Sequence, residues 1–389
     1  MRAFIIAGEV SGDRLGGALM AGLRELRPDI RFDGVGGELM QAQGLRSQFD
    51  MNELSVMGIA EILPKYRHLK RRIRETADAV IAAKPDVMIT IDSPDFSLRV
   101  AKLVKEASNI HCVHYVAPSV WAWRPGRAVK MAKVIDHVLA LLPFEPPYME
   151  AAGMACDFVG HPVTREPVAT DEDAAAFRTR HGLIDADPLL LVLPGSRKGE
   201  VNRLAPVLGQ SLGIIAQSHP HLRVVVPAAG PVADLVQEHA KDWSVKPLVL
   251  DPQTQTLNDA LAEKRAAFKA ADFALAASGT VALELAASAT PTVSVYTVNW
   301  LSLQIMQYMA LIDTANLVNL VSDTRTVPEF IGADFTPQKI ANGLQRLMEN
   351  PKAQIQAMET TMQRLGQDGE APGLRAARAI LTRMPAAQT

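Results

Sequence analysis

The 389 residues exceed what one hydrophobic core usually serves, so two domains, each of rather under about 200 residues, are expected. A formal net charge of −2 at pH 7 and a sequence pI near 6.5 argue against a protein that works chiefly on nucleic acid. Cys112 and Cys156 lie far apart with no metal-ligand spacing, which reads as two buried thiols of a reducing cytoplasm.

The apolar run Ala3 to Ala7 is too short for a signal peptide and predicts a first strand. No window offers the roughly 20 uninterrupted apolar residues of a spanning helix, so the chain is expected to be soluble or at most peripheral to a membrane. Gly8-Glu9-Val10-Ser11-Gly12-Asp13 follows, then an amphipathic pattern with Leu19, Leu23 and Leu26. Strand, glycine-rich turn and helix open a doubly wound α/β domain, and the glycines let backbone approach a ligand. The spacing is not Gly-x-Gly-x-x-Gly, so a sugar or phosphate suits the turn better than a dinucleotide. Gly34-Val35-Gly36-Gly37 marks a second strand-to-helix junction.

In 59–74, Ile59, Ile62, Leu63, Tyr66, Leu69 and Ile73 recur at helical spacing beside a dense set of cations. The pattern fits an interfacial membrane helix and equally a solvated basic face on a domain helix. Val87 to Ile91 predicts a strand that delivers Asp92-Ser93-Pro94-Asp95 at its C-terminal end, where open α/β sheets bind ligands. Asp92 is the better placed to accept a proton and Asp95 to cap the helix that follows. The strand 111–116 ends in Ala117-Pro118-Ser119-Val120-Trp121-Ala122-Trp123-Arg124, whose aromatic faces and arginine suit a sugar ring or acyl surface, or packing under a loop. A strand at 138–142 and the segment 158–162 close this half.

Residues 163–174 lack a strand pattern and read as the connection between domains. Asp185-Ala186-Asp187 reads as turn chemistry, since it precedes a strand. That strand, Leu189 to Leu193, has the length and composition of one buried on both faces, and Pro194-Gly195 ends it. Ser196, Arg197, Lys198 and Gly199 then lead into a helix, setting a hydroxyl, two cations and free N–H groups together as an anion seat, or as an ordinary strand-to-helix turn with a solvated arginine and lysine. Further strands are expected at 223–227, 247–250 and 271–277. After the last, Ser278-Gly279-Thr280 opens an apolar helix as a second anion seat, and Glu284, one turn in, suits a pair of vicinal hydroxyls or a capping bond to Thr280 or Gly279.

The strings Gly8 to Asp13, Met57-Gly58-Ile59, Ile91 to Phe96, Pro118 to Arg124, Leu142-Pro143-Phe144-Glu145, Leu193 to Arg197 and Ser278-Gly279-Thr280 resemble, in order and over nearly the whole chain, the lipid-A-disaccharide synthases. The resemblance implies an α/β protein of the GT-B class, with two Rossmann-like doubly wound domains facing across a cleft. The domains fall at 1–165 for the lipid acceptor and 175–365 for the UDP-sugar, with 366–389 a C-terminal helix packing back on the first. It implies an inverting transfer that joins UDP-2,3-diacylglucosamine to 2,3-diacylglucosamine 1-phosphate, releasing UDP, with no cofactor and no metal. Asp92 then serves as base, and Arg197 stabilises the departing diphosphate. Gly8, Glu9, Ser11, Gly12, Asp13, Met57, Asp95, Ser119, Trp121, Trp123 and Arg124 line the substrate site. Gly195, Ser196, Arg197, Ser278, Gly279, Thr280, Glu284, Asn319 and Gln338 hold UDP. Acylated, phosphorylated substrates favour the interfacial reading of 59–74 and a place in the cytoplasm on the inner membrane surface, with Trp300 to Ile312 a further candidate either for that surface or for the core.

The chain departs from the family pattern in Ala117, where serine is usual, in Val318 before Asn319, and in a longer 251–269 segment where the uracil would lie. Rival readings are an isomerase related to UDP-N-acetylglucosamine 2-epimerase and a non-catalytic nucleotide-sugar or lipid binder. Acyl length and oligomeric state, a homodimer included, are left open.

Overall fold

The computed structural model describes residues 1–54, 59–183, 187–297 and 309–385, with the backbone alone at 59–66. Contacts divide it into two units, Met1–Pro162 with Asp368–Thr389, and Val163–Gln367. Met57, Asp185-Ala186 and most of 300–312 lie outside the described residues.

In the first unit six parallel strands stand in the order β2-β1-β3-β4-β5-β6: β1 (Arg2–Ala7), β2 (Arg31–Val35), β3 (Val87–Ile91), β4 (His111–Tyr115), β5 (His137–Ala140) and β6 (Ala155–Phe158). The Val-Met-Ile-Thr-Ile run of β3 is buried throughout, because a parallel sheet is covered on both faces. Helix Val10–Leu26 packs against helix Pro372–Arg383, which brings the end of the chain into this core through Ala376, Ala377 and Ile380. The approach is at backbone distance: a Cβ on Gly22 would lie 2.7 Å from the Gly373 carbonyl oxygen, and one on Gly373 would lie 2.5 Å from that of Ala18. Both cysteines are buried.

The second sheet has the order β12-β11-β10-β7-β8-β9: β7 (Leu189–Leu193), β8 (Arg223–Pro227), β9 (Leu248–Leu250), β10 (Phe273–Ala277), β11 (Thr292–Tyr296) and β12 (Glu329–Ile331). Alternate residues of β7 serve two cores, Leu190 and Val192 on one face and Leu189, Leu191 and Leu193 on the other. The segment 163–174, read as a connection, lies in this unit. Thr170 and Asp173 form a capping box that starts helix Asp171–Arg180, and buried Arg178 donates to the Ala270 carbonyl and to Asp272.

Helix Ile59–Ala83 divides along its length. Ile73, Ala77 and Val80 are buried in the first core, so from Ile73 onward its apolar side packs against the unit itself. Arg72 is drawn to Glu53 at 2.8 Å and lies over the Phe49 ring. Arg67, Lys70, Arg71 and Arg74, spaced to share one helical face, are exposed. No helix among the described residues is long and apolar enough to cross a membrane.

Candidate active site

Each sheet reverses its order once. The chain goes from β1 to β2 on one side and then to β3 on the other; it goes from β7 through β8 to β9 and then to β10. The C-terminal ends of β1 and β3, and of β7 and β10, therefore flank the crevices where such sheets take ligands. Four of the stretches singled out in the sequence, at Gly8, Asp92, Gly195 and Ser278, follow these four strands.

In the first unit a Cβ on Gly8 would lie 2.5 Å from the Ser93 hydroxyl, so glycine lets the two strand tips touch. Asp92 and Ser93 are both left-handed, with φ of 48° and 45°, a strained conformation for non-glycine residues. Four bonds hold it: Asp92 N–H donates to the Tyr115 carbonyl at 3.0 Å, the Ser97 hydroxyl donates to the Asp92 carbonyl at 2.8 Å, and the Ser93 carbonyl accepts the N–H groups of Phe96 at 3.0 Å and Ser97 at 2.9 Å. Burial, and then the negative charge of Glu9, raise the Asp92 carboxyl above the ordinary aspartate range. Glu9 accepts the Ser11 hydroxyl at 2.8 Å. Asp95 is exposed in the first turn of helix Pro94–Ala107, whose N-cap is Ser93 without a side-chain bond, so Asp95 offers its charge to the helix start and no capping hydrogen bond.

Asp13 and Gly12 face inward. The Asp13 carboxylate accepts the N–H groups of Gly37, Leu39 and Met40 at 2.8, 2.9 and 3.0 Å, tying the first glycine turn to the second. With its oxygens so engaged, Asp13 works on the fold and not at the surface of a site. Ser119, Trp123 and Arg124 are exposed, and the guanidinium lies 4.4 Å over the Trp123 ring. Trp121 instead turns toward Phe144, edge to face at 5.1 Å, and its Nε1–H donates to Glu145 at 3.2 Å. Glu145, which the sequence offers only as the end of the string Leu142 to Glu145 and without a role, is 4% exposed, and burial pushes its carboxyl up to about 7. Its place after Pro143-Phe144 was the available signal.

In the second unit Gly195 is required twice over: its φ is +107°, and a Cβ there would lie 2.2 Å from the Glu200 carboxylate. Glu200, likewise without a role in the sequence reading, accepts the Ser196 N–H at 3.0 Å from inside the turn. Arg197 is the N-cap of helix Lys198–Ser218, and among the described residues neither its guanidinium nor the Lys198 ammonium has a hydrogen-bond or ion-pair partner. Both stand exposed beside the positive end of a long helix, the electrostatics of an anion seat. Ser278, Gly279 and Thr280 precede helix Val281–Ala287, and Glu284 forms an ion pair with Lys264 at 2.5 Å in place of a capping bond. Lys264 comes from helix Leu257–Ala270, within the lengthened segment.

Asn319, expected at the diphosphate, is bonded within its own unit. It is 1% exposed, its amide donates to Thr314 and to the Val327 carbonyl, and its oxygen accepts the Val327 N–H, which commits the side chain to holding a loop. Gln338 is exposed in the first turn of helix Pro337–Glu349 and donates to Asn342 at 3.0 Å.

A family model described as lipid-A-disaccharide synthetase matches residues 3–380. The lipid-A-disaccharide synthase of Ruegeria pomeroyi is 64% identical over 385 residues, covering 99% of this chain and 96% of that protein. That of Rhodospirillum centenum is 46% identical over 383 residues, covering 97% and 93%. Among solved structures, a UDP-GlcNAc 2-epimerase from Neisseria meningitidis bound to UDP-GlcNAc aligns with TM-score 0.62 at 13% identity over 98% of this chain and 99% of that one. A putative UDP-N-acetylglucosamine 2-epimerase from Listeria monocytogenes aligns with TM-score 0.64 at 12% identity over 98% and 94%. At such identities the structural likeness establishes a fold of two Rossmann-like domains, the GT-B class, and not an isomerase activity.

Proposed function

The chain belongs to the lipid-A-disaccharide synthase family, hexosyltransferases of lipid A biosynthesis, and we propose that its acceptor is deprotonated by Asp92 and its UDP leaving group held at Arg197. The substrates on this reading are UDP-2,3-diacylglucosamine and 2,3-diacylglucosamine 1-phosphate. The acceptor 6-hydroxyl oxygen bonds to the anomeric carbon as the bond to the diphosphate oxygen breaks. The electron pair leaves with UDP, the proton goes to Asp92, and the centre inverts without a covalent enzyme intermediate.

The observation that carries this reading is Asp92, a carboxyl at a switch-point strand tip, pinned in a strained backbone and made more basic by burial and by Glu9. A hydroxyl proton is lost late, to a base whose affinity for it rises toward the working pH. The unpaired Arg197 and Lys198 support the second task, since charge grows on the departing diphosphate and fixed donors there act without reorganisation. Glu284, steadied on one oxygen by Lys264, offers the other to ribose hydroxyls. The exposed face of Arg67, Lys70, Arg71 and Arg74 supports docking on the anionic inner membrane surface where both lipids reside.

Incubating the protein with both isotopically labelled lipids and resolving products by mass tests the reading. The expected product carries both labels as a disaccharide 1-phosphate, with one UDP released per coupling. A UDP-sugar epimer formed without coupling would overturn it.

A further inference from the structure

The segment from Ala117 to Trp123 is bounded by two left-handed non-glycine residues, Val116 at φ 85° and Arg124 at φ 52°. Valine is β-branched and disfavours that region strongly, so the backbone holds its course only because surrounding contacts impose it. Among the described residues, a single side-chain hydrogen bond ties this segment to the rest of its unit, from Trp121 Nε1–H to Glu145 Oε1. The other oxygen of Glu145 accepts the N–H groups of Leu141 at 3.1 Å and Leu142 at 3.0 Å, at the end of β5. No cation pairs with this buried carboxylate among the described residues. A carboxyl group in such a place costs stability relative to an apolar residue, so packing alone gives no reason for it.

We propose that Glu145 is a positioning residue for the lipid acceptor: by gripping the Trp121 indole from the end of β5, it fixes the loop that presents Ser119, Trp123 and Arg124. The inference rests on the reading that this loop receives the acceptor. The neighbouring contact has the same sense, because the Phe144 ring meets the edge of Trp121 and leaves the indole little freedom to turn. Glu145 itself touches no reacting atom, so its effect falls on how well the acceptor is held and not on the departure of UDP.

The test compares Glu145→Gln and Trp121→Phe in the full-length protein. The first keeps shape while changing the acceptor set, and the second keeps a ring while removing the N–H. Loss of one hydrogen bond to a buried carboxyl group corresponds to a change of up to about tenfold in a binding constant. Each variant is expected to raise the acceptor KM about tenfold while leaving the donor KM and UDP affinity unchanged, and the double variant is expected to be no worse than the worse single one. Circular dichroism and the urea midpoint of each variant report whether the protein, the first unit included, has folded. If Glu145→Gln raised donor and acceptor KM together, or left both unchanged while Trp121→Phe raised the acceptor KM, the positioning role would fall. If Trp121→Phe and Trp123→Ala both left the acceptor KM unchanged, the acceptor reading of the loop would fall instead, and this inference with it.

Discussion

Asp13 gives the most direct way to separate fold from chemistry in the first glycine turn. Its Oδ1 accepts the N–H groups of Gly37 and Met40, and its Oδ2 accepts that of Leu39, at the start of helix Glu38–Ala42. Asp13→Ala leaves all three donors without an acceptor, one in fully buried surroundings, and removes a negative charge from the positive end of the helix. At about 1 to 2 kcal/mol for each stranded donor the loss is roughly 3 to 6 kcal/mol. Asp13→Asn keeps Oδ1 and so two of the three bonds, and it is expected to lose less than half as much. Urea unfolding followed by circular dichroism measures both losses at the midpoint. Activity is then measured well below the midpoint and expressed per folded molecule, where kcat/KM should stay within about twofold of the parent for Asp13→Asn. A variant as stable as the parent but inactive would refute the structural assignment and return Asp13 to the substrate.

Asp92→Asn is expected to lower kcat by about 100- to 10,000-fold with little change in donor KM. Glu9→Gln removes the negative neighbour that helps raise the Asp92 carboxyl, so the acid limb of kcat/KM should move to lower pH, and an unmoved limb would take Asp92 out of the base role. Gly373→Ala drives a Cβ against the Ala18 carbonyl, which should cost about 1 to 3 kcal/mol and expose the last helix to proteolysis; equal resistance to protease would refute the close packing. Replacing Lys70, Arg71 and Arg74 by serine should weaken sedimentation with anionic vesicles at physiological salt while leaving UDP affinity unchanged. Arg72 is kept in that variant, because its pairing with Glu53 and Glu75 belongs to the fold.

How much was legible in the sequence depended on whether the cause was local. β7 could be read because Leu189 to Leu193 is an unbroken apolar run closed by Pro194-Gly195, and β3 because its tip carries Asp92. β11 escaped because Thr292 and Ser294 interrupt its apolar pattern. Both are nevertheless buried, and the side chain of Gln354, 62 residues on, bonds the Thr292 backbone. β6 and β12 are short edge strands, Ala-Cys-Asp-Phe and Glu-Phe-Ile, with too few residues for a period to show. The same division runs through the site. Turns and helix starts are properties of neighbouring residues and could be named. The partners that engage Asp13, Asn319, Trp121 and Glu284 lie elsewhere on the fold, and no spacing announces them.

The two glycine turns differ in a way that composition hides. After β1 the acidic groups of the turn look inward or toward each other: Asp13 holds backbone, and Glu9 stands against Asp92. Negative charge gathered beside a buried carboxyl raises its proton affinity, which serves a base and repels an anion. After β7 the carboxylate of Glu200 is engaged by the turn's own backbone, and the cations Arg197 and Lys198 are left facing solvent. That balance suits a diphosphate and would disable a base. On the proposed reading, one topology, a glycine turn at the switch point of a parallel sheet, serves proton abstraction in one unit and leaving-group stabilisation in the other, and the sign of the charge left unpaired at the strand tip separates them.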